Sequence, residues 1–309
     1  MIDLIVTQQE FLKQLKTQGK SFNTLKNYRA DLEAFNKFLT QHNRPLMLKT
    51  FAPKEAQEYA QFLENTYGSP NSIRRRVQAL RLYFDFLVVR HSFPLNPIKQ
   101  MAVAPKLLEK PNPPSFKDLI KVKDSLLKLS LSESGLSLLM VQRNLIIFAL
   151  IYESGLKVSD LSRLEMSDIL MDKKGPRVLV RPDKREPYSI PLSPSFSEMF
   201  KTYKVTLMEN WNLAQKPSHL FFNANPFKIL SGTLSPRGIE LVFESIREKT
   251  KTDITARNLR QACVFRWMNL MTPTSQIKKW LGVAPDYDMA LYNEVFNTQK
   301  PIYLDIPYA

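Results

Sequence analysis

Three consecutive arginines, Arg74, Arg75 and Arg76, form the densest basic run in the chain. They open a helical stretch whose other side carries Val77, Leu80, Tyr83, Phe84 and Leu87. Successive helical residues are rotated by about 100°, so the three side chains fan out and are not expected all to be paired internally. The chemistry this points to is contact with phosphates; the alternative is a solvated helix end. Lys26 and Arg29, on the polar side of an earlier helix, extend that face. In the second half, Arg260 lies on an otherwise apolar stretch of Leu259, Ala262, Val264 and Phe265. A cation there is costly without an anionic partner, and a phosphate suits it better than an internal carboxylate. Lys184 sits in the charge-rich turn Asp183-Lys184-Arg185-Glu186, where a solvated loop is nearly as good a reading.

Other chemistries are poorly served. Cys263 is the sole cysteine, and His42, His91 and His219 are widely scattered, so neither a disulfide nor a metal cluster is expected. Eight glycines supply no phosphate-cradling loop, and neither GxSxG nor HExxH occurs. Ser154–Lys157 and Ser125–Lys128 fit SxxK, a pattern too short to carry a hydrolase. No cofactor is expected.

The elements that must position these residues divide in two. At 309 residues the chain exceeds one comfortable core. Its 44 basic and 29 acidic residues leave a net charge of +15. Residues 1–105 hold 15 basic and 8 acidic residues (+7), leaving 29 and 21 (+8) for residues 106–309. A shared excess implies two folded units with basic surfaces, suited to clamping a polyanion. Apolar residues at helical spacing mark Thr7–Lys16, Ser21–His42, Pro53–Tyr67 and Ser72–Val89, a bundle of four helices with Ser21 and Ser72 as caps and Pro53 in a first turn. Six prolines between Pro94 and Pro114 predict an extended linker, with the boundary near residue 106. Helices follow at Ser115–Leu129 and Leu136–Glu153. Three β-type segments come next, Asp168–Met171, Arg177–Arg181 and Tyr188–Pro191, as a small antiparallel meander. Helical patterning resumes at Ser195–Asn210, Ser235–Lys249, Ala256–Met271, Pro273–Leu281 and about Asp286–Phe296. The expected fold is mainly α with that meander. The start lacks a signal-peptide layout and the apolar run Leu145–Tyr152 is short for a bilayer, so a cytoplasmic protein without membrane contact is expected.

Arg143–Ile169, which includes Ser154-Gly155-Leu156-Lys157-Val158-Ser159-Asp160-Leu161, resembles the box that opens the catalytic domain of tyrosine recombinases of the phage-integrase and Xer type. Other landmarks follow in the family's order. Lys184 lies between two β-segments, where the family has a hairpin lysine. Thr255–Arg260 resembles the P-H-x-L-R box, and Trp280–Val283 the L-G-H box. Tyr292 stands nine residues after Val283, at the family's spacing to its nucleophilic tyrosine. Ser21–Leu39 resembles the core-binding domain. The resemblance covers nearly the whole chain. It implies residues 1–105 as a helical SAM-like core-binding domain and 106–309 as a catalytic-type domain.

The departures fall on the site. Lys157 stands for the family's first arginine, Arg257 for a histidine, and Val283 for a histidine or tryptophan. Lys184, Arg260 and Tyr292 match. In the family these groups hold the scissile phosphate, move the tyrosine proton and protonate the leaving 5′-hydroxyl while a 3′-phosphotyrosine forms. Lys157, Lys184, Arg257 and Arg260 still offer four cations to a phosphodiester. A guanidinium is no base near neutral pH, and a lysine lacks the arginine fork. The expectation is a protein that binds double-stranded DNA with strand cleavage impaired or lost. The alternatives are a working recombinase acting through Tyr292 and a protein-interaction scaffold that has lost DNA. Tyr287 is a rival hydroxyl, and Lys157 has the alternative of a helix cap. The apolar tail Asn297–Ala309 is expected to dock on a neighbouring protomer of a homo-oligomer on DNA, or on its own domain. A second recombinase is a further candidate partner.

Overall fold

The computed structural model describes residues 1–101, 109–183, 185–211, 219–224 and 230–308. The chain divides into Met1–Glu109 and Lys110–Ala309. Residue 106, where the boundary was expected, and Lys184 lie outside the described residues.

In the first unit β1 (Ile2–Asp3) pairs antiparallel with β2 (Met47–Leu48). α1 (Leu4–Thr17) starts on the Asp3 carboxylate, which accepts from the Ile5 and Val6 N–H groups at 2.8 and 3.1 Å. α2 (Phe22–Gln41) starts on Ser21, whose hydroxyl oxygen accepts from Thr24 N at 3.2 Å. α3 (Pro53–Thr66) and α4 (Pro70–His91) each open on a proline, which needs no N–H partner there. Pro70 therefore starts α4 two residues before Ser72, and Ser72 is not its cap. Phe35 at the centre meets Phe51, Tyr59 and Phe84 edge-on at 5.3, 5.3 and 5.9 Å between centroids.

The proline-rich stretch is less extended than expected. Pro97–Gln100 forms a 3-10 turn, with the Asn96 side chain accepting from Ile98 N. Ile98 is fully buried, and the Arg81 guanidinium donates to the Ile98 and Met101 carbonyls at 3.3 and 3.2 Å. Proline removes donors but leaves acceptors, and here a guanidinium satisfies them.

The second unit contains α5 (Phe116–Ser132), α6 (Gly135–Ser154), the short α7 (Val158–Leu161), and a sheet of β3 (Ile169–Asp172), β4 (Gly175–Val180) and β5 (Tyr188–Pro191). The sheet is the expected antiparallel meander, in the order β3-β4-β5, with Val178 between Ile169 and Ile190. α8 (Pro194–Asn210) follows, then the two-residue pair β6 (Asn223–Ala224) and β7 (Leu230–Ser231). α9 (Pro236–Thr250), α10 (Ala256–Asn269), α11 (Thr274–Leu281) and α12 (Ala290–Gln299) complete it. α7 and the two-residue strands were not anticipated, because such pieces are too short to show periodicity. By length and composition α6 is apolar enough to cross a membrane, but α5, α8 and α10 pack around it and Leu145–Ser154 is buried throughout.

The tail folds back on its own unit. Tyr303, Ile306 and Tyr308 are buried, Tyr152 Oη donates to the Leu304 carbonyl at 2.7 Å, and Asn269 Oδ1 accepts from Tyr303 N at 2.8 Å. Arg266 on α10 binds Asp305 through Nε and Nη2 at 2.7 and 2.6 Å. Of the two dockings expected for this segment, the single chain displays the one at home.

Candidate functional site

α6 ends at Gly155, whose φ of +61° is left-handed and whose missing Cβ would lie 2.9 Å from the Trp267 ring. Glycine is therefore required twice, by backbone conformation and by the close approach of α10. Past it, exposed Lys157 occupies the cap position of α7 but makes no side-chain cap bond. α10 starts on Thr255, which caps Asn258 N, and so presents exposed Arg257 in its first turn and half-buried Arg260 one turn on.

Lys157, Arg257 and Arg260 meet on the wall of one cavity of about 470 Å³. Arg237 and Arg247 of α9 line it too, with Glu240 and Glu244 beside them. Among the described residues five cations against two carboxylates leave an excess of three positive charges, an environment that attracts a phosphate. Arg237 is paired to Glu240 and Glu244 at 3.3 and 2.8 Å. Neither α9 arginine was singled out in the sequence. Arg237 carries a visible signal, opening a helix directly after Ser235-Pro236.

Arg260 is held at both ends. Its Nε donates to the Gly155 carbonyl at 2.5 Å, and its Nη2 to the Leu281 carbonyl at 2.8 Å. These oxygens close α6 and α11, where the helix dipole concentrates negative charge. The internal partners of Arg260 are thus carbonyls, neither carboxylate nor phosphate, and the guanidinium also lines the cavity.

Tyr292 sits on α12, half-buried, with its ring 5.6 Å from that of Phe265. Burial, reinforced by Tyr287, pushes its hydroxyl up to about 12, against the opposing charges of Arg260 and Arg257. It is therefore a protonated phenol at neutral pH. It lies within electrostatic reach of both arginines but is not part of the cavity wall. Val283 follows Gly282, which ends α11 at a φ of +62°, and its carbonyl accepts from Arg185 Nη1 at 3.2 Å. Arg185 lines a second cavity, of about 760 Å³, with Tyr188, Lys278, Lys279 and Val283.

In the first unit the arginine run behaves differently from expectation. Arg75 binds Asp31 of α2 at 2.6 Å. Arg76, whose side chain is 13% exposed, lies 4.0 Å from the same carboxylate and 3.5 Å over the Tyr67 ring. Arg74 is not free either. The fan does find internal partners, because α2 and α4 pack together and bring a buried aspartate against it. The signal was the aspartate of Ser21–Leu39. Lys26 and Arg29 are exposed on α2.

Asp31 is 2% exposed, and burial pushes its carboxyl up to about 6 against the pull of Arg75 and Arg76. A carboxyl raised in the folded state stabilises most below its unfolded value near 4, and that stability is lost as pH rises through about 6. The unfolding free energy of the wild-type chain is therefore expected to fall relative to that of Asp31→Asn between pH 4 and 7, by up to about 3 kcal/mol, and its Tm to fall with it. Parallel Tm profiles would contradict it.

A helical first unit and a second, mainly helical one with a three-stranded meander, whose helices gather a lysine and two arginines on one cavity wall, have the two-domain architecture of tyrosine recombinases. Residues 9–91 match the phage integrase N-terminal SAM-like domain, and residues 135–298 match the phage integrase family. The chain belongs to the phage integrase family. It is 27% identical over 302 residues to tyrosine recombinase XerC of Staphylococcus aureus strain MSSA476, covering 96% of this chain and 95% of that one. Its fold is similar to a lambda integrase dimer bound to a core site, with a TM-score of 0.67, 16% identity, and coverage of 99% of this chain and 80% of that one. XerH recombinase in a pre-cleavage complex with its difH substrate has a TM-score of 0.67 and 13% identity, over 94% of this chain and 84% of that one.

Proposed function

We propose that this protein binds double-stranded DNA, holds a backbone phosphate in the Lys157–Arg257–Arg260 cavity, and cleaves the strand slowly or not at all. The observation that carries the reading is the meeting of those three cations on one wall with an excess of positive charge. Electrostatic capture needs only the charge. Cleavage also needs a proton acceptor for a phenol raised to about 12, and neither Arg257, where the family has a histidine, nor Val283, where it has a histidine or tryptophan, supplies one. Two basic units suit contact along a duplex, and relatives solved as DNA complexes, a lambda integrase dimer among them, support both DNA and self-association on it as partners. With Arg75 and Arg76 engaged internally, Lys26 and Arg29 are the better phosphate contacts of the first unit.

The test is a salt titration of duplex binding. Each neutralised phosphate contributes about −0.9 to the log–log slope, so Lys26→Ala/Arg29→Ala should flatten it by about two. Binding that is absent at low salt, or independent of salt, would favour the scaffold reading.

A further inference from the structure

The turn Leu281-Gly282-Val283 is gripped from two sides. Arg260 donates to the carbonyl of Leu281 at 2.8 Å, and Arg185, from the connection between β4 and β5, donates to that of Val283 at 3.2 Å. Gly282 lies between them with no side chain in the way: a Cβ there would stand 3.9 Å from Arg185 Nη1 and 3.4 Å from the Tyr188 hydroxyl. Tyr188 ties the two halves together. Its hydroxyl donates to the Trp280 carbonyl at 3.4 Å; burial and then Asp160 push that hydroxyl up, against the opposing charges of Arg185 and Arg260. Arg185 itself is exposed, and among the described bonds it spends one N–H on Val283. A guanidinium has five N–H groups in a fixed fork, so most of that donor set is left to solvent at the turn that Arg260 also holds.

We infer that Arg185 is a phosphate-binding residue, placed on the Val283 carbonyl so that its fork supplies the donor that the valine side chain lacks. The inference rests on the function proposed above. A valine offers an anion nothing, whereas a guanidinium held at one corner presents paired N–H groups to two oxygens of a phosphodiester. The sequence pattern hides this, because the fork arrives from a residue about a hundred positions away, next to Lys184.

The test uses the full chain and a duplex obtained by selection for wild-type binding. That duplex is remade as a series, each member carrying one neutral methylphosphonate. In wild type, neutralising the phosphate seated at the Leu281–Val283 turn should weaken binding distinctly. In Arg185→Ala that penalty should shrink about tenfold or more, as expected for loss of a hydrogen bond to a charged group, while penalties elsewhere stay the same; Arg185→Lys should restore part of it. A strut that merely docks the hairpin predicts something else, a uniform loss across the series with an unchanged profile. That profile, or one superimposable on wild type, would overturn the inference. If selection on wild type recovers no duplex that binds, the proposed function itself falls and takes this inference with it.

Discussion

On nicked duplexes able to trap a phosphotyrosine, the wild-type chain is expected to form covalent adduct about four orders of magnitude more slowly than a family member with arginine, histidine and histidine at positions 157, 257 and 283. One lost oxyanion donor costs about 10²–10³ in rate, and lost acid–base help about 10²–10⁴. The two do not simply multiply. Arg185 offsets part of the first loss but none of the second, since a guanidinium accepts no proton near neutrality. A signature in pH follows. With the Tyr292 hydroxyl pushed up to about 12 and no imidazole at 257 or 283, the residual rate should rise about tenfold per pH unit between 6 and 9, tracking the phenolate fraction. Rapid adduct formation at pH 7, abolished by Tyr292→Phe, would show that a lysine- and arginine-based site carries out the full reaction.

Replacing Arg266 by Met should lower Tm by about 6–12 °C, the largest stability effect expected from one substitution here. Glu153 at the end of α6 is 1% exposed, and both its oxygens are used: Ser193 N and Ser193 Oγ, at the start of α8, donate to them at 2.6 and 2.9 Å. Burial raises its carboxyl; the Ser193 N–H, the Arg266 charge and the Ser193 hydroxyl work against that. Without Arg266 a buried carboxylate loses its cation, a change that costs about 3 kcal/mol, and in a unit this large each kcal/mol moves Tm by about 2–4 °C. Asp305, and with it the tail, loses its partner too. The sign with pH is fixed. A carboxyl raised in the folded state favours stability at low pH and loses it as pH rises, and removing Arg266 raises it further, so the deficit should be largest near pH 7.5 and shrink towards pH 5. Thermal unfolding at the two pH values checks this. A deficit below about 1 kcal/mol, or one independent of pH, would contradict it.

Features encoded locally were legible in the sequence. Gly155 sits in the turn that closes a helix in the family frame, Ser21 caps the helix it precedes, and β-type patterning marks the strands of the meander. These act over a few residues and leave a pattern. Lys157, Arg257 and Arg260 were found through the family frame, and the fold brings all three to one cavity. What could not be read is pairing across elements. Arg75 and Arg76 looked unpaired because Asp31 lies more than forty residues away, on a helix whose packing against α4 no local pattern specifies. Arg185 looked like one charge among four in a turn; its meaning comes from the carbonyl of Val283. The tail's apolar residues predicted docking, but whether at home or on a neighbour depends on Arg266 and Asp305 finding each other. Lys184 lies outside the described residues, so its place in the site rests on the sequence frame.

Arg260 bridges the ends of α6 and α11, helices that close 126 residues apart, at 155 and 281. In a random-mutagenesis screen, alleles at Gly155 and at Arg260 would therefore fall into one phenotypic class. The first drives a side chain into Trp267, the second unties both helix ends, and each loosens the same junction. Neither allele alone would say whether the arginine touches DNA. The pattern of suppression would: a global stabilising mutation elsewhere in the second unit should rescue Gly155 alleles while leaving Arg260 alleles defective on DNA.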